Sequence, residues 1–204
     1  MRKTRLDAAT VVNTAAELLN REGPEALTLG RLAATLGVQT PSLYNHVDGI
    51  SGLRRELARL NAQRLAEVVT EAAIGKSGAE ALSALAQAFR SYIKANPGLY
   101  LANVRSSVSQ PPVDERLQAA EERIVHIVMA VIESFGLKGE DALHAVRAWR
   151  SAVHGFASLE VSGGFGLPLD CDESFHRLLE IMIQGLQTAS GKTENVRRHA
   201  KRNT

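Results

Sequence analysis

Apolar residues recur along the chain at spacings of three and four, with no sustained alternation of period two, and this pattern predicts an all-α fold. Gly and Pro separate the helices. The first is expected from the N-cap Asp7 to Glu22, with Ala8, Val11, Val12, Ala15, Leu18 and Leu19 on one face and Gly23-Pro24 ending it. Thr28 caps a second helix of about two turns, whose stripe is Leu29, Leu32, Ala33 and Leu36. Gly37 then gives a left-handed exit, Val38 a buried plug, and Thr40-Pro41 the start of a third helix reaching about Val47. Leu43 faces inward on that helix, leaving Gln39, Thr40, Ser42, Asn45 and His46 largely outward.

A long helix is expected from about Ile50 to Ala73, marked by Leu53, Leu57, Leu60, Leu65, Val68 and Val69. Further helices are expected at 79–95, 97–105, 112–135, 140–161 and 172–189, about nine in all, which reads as a helical bundle following a three-helix module. The division is 1–48 for the module, 49–191 for the bundle and 192–204 for a tail. Past Gly191 only Val196 is apolar and larger than alanine, so the tail is expected to be disordered.

Composition narrows the class. A chain of 204 residues buries roughly 70% of the surface its unfolded form exposes, and needs no metal or disulfide staple. The single cysteine, Cys171, cannot form an internal bridge, and the first thirty residues lack a basic, apolar, small-residue signal pattern. Charged residues interrupt every apolar run before the roughly 18 to 20 residues that a membrane span requires. These features predict a cytoplasmic protein without membrane contact. The net charge of +2 divides unevenly: +3 over residues 1–64, −5 over 65–191 and +4 over 192–204. A basic head on an acidic body points to an anionic partner for the head.

The informative unit is residues 28–47, two short helices joined by a Gly-containing turn and braced by the helix before them. Such a pair locks at a steep angle and lets the second helix project its outer face into a DNA major groove. Gln39, Thr40, Ser42, Tyr44, Asn45 and His46 offer donors and acceptors for base edges and phosphates, without a carboxylate to repel the backbone. A helix–Gly–helix corner also occurs in bundles that bind no DNA, so the pattern alone leaves both readings open.

Residues 28–57 go further. Their Leu-Ala-x-x-Leu-Gly-Val core, the Ser-Leu-Tyr-x-His-Val segment and the leucines after it resemble the DNA-binding segment of TetR-family transcriptional regulators. The position also matches, after one helix and ahead of a helical domain. The resemblance implies an N-terminal helix-turn-helix domain, a long connecting helix and an effector-binding and dimerisation bundle. It implies base or phosphate contacts by Gln39, Thr40, Ser42 and Asn45, sugar-phosphate contacts by Tyr44 and His46, and a DNA-binding place for Pro41, which opens the helix that carries them. Thr28 corresponds to a cap whose helix N-terminus approaches a phosphate. Where the family often carries Lys after His-Val, this chain has Asp48-Gly49-Ile50-Ser51; Arg2, Lys3 and Arg5 of the N-terminal arm, or backbone N–H groups at the start of the long helix, are expected to supply the missing contact, the arm being the preferred source.

In the C-terminal half, Trp149-Arg-Ser-Ala-Val-His154-Gly155 resembles the Trp–His–Gly motif of one subgroup of TetR-like C-terminal domains. Trp149 and His154 lie about 140° apart around a helix, so core packing of Trp149 competes with a ligand contact. Phe89, Tyr92, Tyr100, Trp149 and His154 are candidate residues for lining an effector pocket, and core filling competes for them too. The resemblance implies a homodimer built by the last two long helices. Its candidate contacts are His154, Phe175, Leu178, Leu179, Met182, Ile183 and Leu186. The function so implied is a sequence-specific DNA-binding regulator, a repressor released from a pseudo-palindromic operator by a small-molecule effector, with no cofactor and no catalytic role.

Two other classes compete. A metal-binding bundle enzyme is suggested by Glu122/His126 and Glu140/His144 at four residues and Glu173/His176 at three. Against it, the Glu-x-x-His spacing occurs once, and such pairs are common on solvated helix faces. Cys171 lies between Asp170 and Asp172, which oppose thiolate formation, and no phosphate loop, nucleotide fingerprint or serine elbow is present. A helical adaptor that binds no DNA would not need the polar face after Gly37.

Overall fold

The computed structural model describes the backbone of residues 6–104 and 114–202 and the side chains of 6–103 and 114–189. Among these residues the fold is all-α: α1 (Ala8–Glu22), a 3-10 turn (Pro24–Ala26), α2 (Leu29–Leu36), α3 (Thr40–Leu43), α4 (Gly49–Ala73), α5 (Gly78–Ala95), α6 (Pro97–Val104), α7 (Glu115–Glu133), α8 (Glu140–Val161) and α9 (Cys171–Arg202). The chain divides into two compact units, one of residues 1–64 with 95–120 and one of 65–94 with 121–204.

In the first unit, local chemistry sets the helix ends. Asp7 accepts a 2.7 Å bond from the Thr10 backbone N–H, satisfying a first-turn donor of α1. Thr28 Oγ1 does the same for Arg31 N at 3.1 Å in α2. Gly37 takes φ +67° and ψ +31°, and the Val38 N–H returns to Ala33 O at 3.0 Å, a left-handed closure that a side chain would strain. Val11, Ala15 and Leu19 of α1, Leu32 of α2, Leu43 of α3, Leu53 and Leu57 of α4 and Leu99 of α6 form one buried cluster. Each such leucine contributes about 1.5–3 kcal/mol by leaving water.

The α1–α6 contact depends on the absence of a side chain at Gly98, where a Cβ would lie 1.9 Å from Leu19 O. Asn20 Oδ1 accepts from Leu99 N at 2.9 Å beside it, and Asn103 Nδ2 donates to Leu99 O at 2.6 Å. In the second unit, Leu82, Leu85, Phe89 and Ile93 of α5, Val128 and Ile132 of α7, Val146, Trp149 and Val153 of α8 and Phe175 of α9 are buried. Arg90 is buried with them, 4% exposed. It donates to Glu160 at 2.7 and 2.6 Å, and pairs with Asp172 at 2.7 Å. The faces of Phe156 and Phe175 lie 5.5 and 4.8 Å from its guanidinium.

Several elements differ from expectation. Val38 is half-buried and packs against the cluster instead of plugging it, because it sits at the rim of the α2–α3 turn. The regular part of α3 ends at Leu43, with Gln39 as its N-cap and Thr40 already helical. Bonds from Tyr44 N to Pro41 O and Val47 N to Leu43 O carry the turn to Val47 without regular helix. The helix α7 begins at Glu115, capped by the Asp114 carboxylate on Leu117 N at 3.1 Å, and ends at Glu133 rather than Phe135. The last helix continues past Ala189 through the expected disordered tail to Arg202. An internal glycine such as Gly191 costs about 1 kcal/mol and does not oblige a helix to stop.

Candidate nucleic-acid interface

The segment from Thr28 to Val47 presents one apolar side and one polar side. Leu32, Ala33, Leu43 and Val47 are buried, with Leu43 at 0% exposure. Gln39, Pro41, Tyr44 and Asn45 are exposed, Tyr44 at 62%, and Thr40, Ser42 and His46 are half-buried. A large aromatic left in water beside five polar side chains is poorly explained by folding alone. Because Leu43 and Val47 root the turn in the core, the polar residues between and before them are held on a fixed base. Thr28 is exposed at the start of α2, with its hydroxyl accepting from Arg31 N.

Charge pairs tie this region together. Arg31 of α2 bonds Glu22 of α1 through Nε at 3.2 Å and Nη2 at 3.1 Å, and Arg21 bonds the same carboxylate at 2.8 Å. The bonds from Arg31 and then Arg21 hold the Glu22 carboxyl below its usual range, while Glu22 raises Arg31. After the Val47 turn, Asp48 accepts from Arg55 Nη2 at 3.1 Å. The carboxylate standing where the family often has lysine is therefore partnered by a cation from the first turns of α4. Lys3, with Arg2 and Arg5, lies outside the described residues.

The effector candidates do not form one group. Phe89, Tyr92 and Trp149 are buried in the second unit, where Phe89 and Trp149 meet edge to face at 5.9 Å between ring centroids and 83° between planes. Tyr100 is buried in the first unit. His154 is half-buried, 3.4 Å from Ser158 Oγ through Nδ1, and burial, followed by the Arg150 charge, pushes its pKa down.

Of the candidate dimer contacts, Phe175, Leu179 and Leu186 are buried within the single chain, and Leu178, Met182 and Ile183 are half-buried. The stripe faces its own unit because α9 packs on α8 and Phe175 stacks near Phe156 at 5.0 Å. Among the described residues, the exposed large apolar side chains of α8, α9 and the segment between them are Leu143, Leu159, Phe165, Leu167, Leu169 and Ile181, the last at 69%. Sequence reasoning missed them, although Ile181 breaks the inward period of α9. It also missed Arg90, whose partners lie 70 and 82 residues away. Of the metal-like pairs, Glu173 bonds Arg177 at 2.7 Å and His176 lies 3.2 Å from Glu180, each turned along the helix to a neighbour four residues on.

Among known proteins, the model for bacterial regulatory proteins of the tetR family matches residues 11–57, and the model for tetracyclin repressor-like C-terminal domains matches residues 82–182. An uncharacterised HTH-type transcriptional regulator of Mycobacterium tuberculosis is 33% identical over 186 residues, 91% of this chain and 84% of that one. The class C tetracycline repressor protein of Escherichia coli is 48% identical over 54 residues, 26% of this chain and 25% of that one. The crystal structure of the Streptomyces coelicolor TetR family protein ActR in complex with (S)-DNPA superposes with a TM-score of 0.59 at 25% identity, covering 90% of this chain and 98% of that one. The expected helix-turn-helix head, the helical body that follows it and the relatives in common place this chain in the TetR family of DNA-binding transcriptional regulators.

Proposed function

We propose that the protein is a homodimeric repressor that holds a pseudo-palindromic operator and leaves it when a small-molecule effector occupies the helical body. The observation that carries this reading is the polar surface of Gln39 to His46, rooted in the core by Leu43 and Val47. Gln39, Thr40, Ser42 and Asn45 are assigned to base or phosphate contacts, Tyr44 and His46 to the sugar-phosphate backbone, and Pro41 to the entry of the helix. The exposed Thr28 and the start of α2 meet a phosphate, and Lys3 with its neighbours reaches the backbone from the arm.

In this reading, residues 1–48 are the reading head, 49–191 the effector and dimer body, and 192–204 a basic extension. A single head covers too few base pairs for useful discrimination, whereas a two-fold dimer reads two half-sites about 34–36 Å apart. Support for repression and for an effector comes from the kinship with a tetracycline repressor and with ActR, solved with (S)-DNPA. The effector binds one conformation better and shifts the population away from the DNA-competent state. His154, Leu178, Met182 and Ile183 remain candidates for the dimer face, joined by exposed Leu159 and Ile181. The protein acts in the cytoplasm, and no described helix is long and apolar enough to cross a membrane.

Selection from random duplex DNA with the full chain tests the reading. The expected outcome is an inverted repeat bound with an affinity that falls steeply with salt, because phosphate contacts release counterions. Recovery of unrelated sequences, or salt-independent binding, contradicts it.

A further inference from the structure

Among the described residues of the second unit, one buried side-chain polar atom is left without a partner. Trp149 is 1% exposed, and its indole Nε1–H donates to no group among the described residues. An indole can only donate, so it cannot be satisfied by turning about as a hydroxyl can. Buried polar groups are nearly always hydrogen-bonded, and a lone exception calls for a functional or structural explanation. Its aromatic neighbour Phe89 presents an edge-to-face contact at 5.9 Å, which supplies apolar packing and no acceptor oxygen or nitrogen.

Among the described residues of this unit, the buried ion pair of Arg90 and Glu160 is committed within itself and to two more exposed partners. Arg90 of α5, adjacent in sequence to Phe89, is closed by Glu160 and Asp172, and Lys94 bonds Glu160 at 2.7 Å. His154 on the helix of Trp149 is held toward its neutral form by burial and Arg150. A charged molecule entering beside Trp149 would lose its water without gaining an opposite charge, a cost of several kcal/mol for an ion. A neutral molecule with a carbonyl oxygen or an aromatic ring nitrogen would instead satisfy the one orphaned donor while its body packs on the rings.

Resting on the reading that this unit binds an effector, we infer that the effector is an uncharged, largely apolar molecule whose hydrogen-bond acceptor takes the Trp149 Nε1–H. The donor selects for the acceptor because a bound molecule lacking it leaves a buried group unpaired. This gives Trp149 a role in choosing the effector that its core burial alone would conceal.

Ligand-observed magnetic resonance on the full chain tests this with a mixed fragment library of neutral, cationic and anionic members, anchored by 2-acetylnaphthalene, 2-ethylnaphthalene and 2-naphthoate. Neutral carbonyl and ring-nitrogen fragments are expected to dominate the hits. Trp149→Phe is expected to weaken them about tenfold, the worth of one neutral hydrogen bond. Replacing the only tryptophan by 3-benzothienylalanine, which keeps the shape and puts sulfur in place of N–H, covers the case in which the phenylalanine variant folds poorly. It is expected to show the same tenfold loss with an unchanged melting temperature. Absence of hits, hits dominated by charged fragments, or equal affinity for the benzothienyl protein overturns the inference. A lower melting temperature for that protein with unchanged fragment binding also overturns it, by giving the N–H a partner within the fold. The operator selection reads a different property. An operator without fragments that depend on Trp149 defeats this inference alone, whereas such fragments without an operator defeat the regulator.

Discussion

At the scale of single residues, the proposed function assigns the polar side chains between Gly37 and Val47 to contacts with bases and phosphates. Gln39→Ala is expected to relax preference at one base position by about 1–3 kcal/mol, whereas Lys3→Ala weakens binding to all sequences alike and lowers the salt slope by about one. Binding isotherms on a set of single-base operator variants separate the two, and identical behaviour would remove Gln39 from base readout. A different residue controls the packing of the first unit. Gly98→Ala would drive a Cβ into Leu19 O at 1.9 Å, so α6 must lift from α1, with an expected loss of about 3 kcal/mol in chemical denaturation. An unchanged midpoint would show that the contact gives way freely. Caps such as Asp7, Thr28 and Gly37 were legible in the sequence, because each acts on backbone three to five residues away. Gly98 was not, because its reason is the carbonyl of a residue 79 positions earlier.

At the scale of elements, α5, α8 and α9 are joined by the Arg90–Glu160–Asp172 group. Arg90 holds the Glu160 carboxyl below its usual range, with Lys94 adding to the effect against the opposing cost of burial. A depressed carboxylate contributes stability that is present above its unfolded pKa and lost as pH falls through the folded one. The second unit is therefore expected to lose stability below about pH 4.5, the ordinary glutamate value, and Glu160→Gln to flatten that part of the profile. At neutral pH the same substitution leaves a buried guanidinium short of its partner and is expected to cost about 3 kcal/mol. Thermal melts of both proteins from pH 3 to 8 check the slope and its sign. Helix positions were largely legible from the apolar period, including α8 to the residue. The inward turn of Phe175, Leu179 and Leu186 was not, since a stripe wide enough for a dimer face also suits docking on α8. Nor was the length of α9, whose polar C-terminal part carries no periodic apolar signal to mark it as helix.

At the scale of the whole molecule, the net charge of +2 conceals +3 over residues 1–64, −5 over 65–191 and +4 over 192–204. In the proposed dimer the two copies of residues 1–64 together carry about +6, which favours DNA, whereas the negative charge of 65–191 disfavours contact with it. The membership of α6 in the first unit is a fact of three dimensions that no local pattern announces, because its residues Leu99 and Asn103 meet α1 and α4 at separations of 46 residues or more. The central claim is that the surface of Gln39 to His46 reads DNA as half of a symmetric pair. Selection of bound duplexes from a random pool by the full chain tests it most directly. The expected result is an inverted repeat with half-sites about 34–36 Å apart, recovered by the native protein and lost with Tyr44→Ala and Asn45→Ala together. An equally enriched site for that double variant, or no enriched sequence for the native protein, would contradict it.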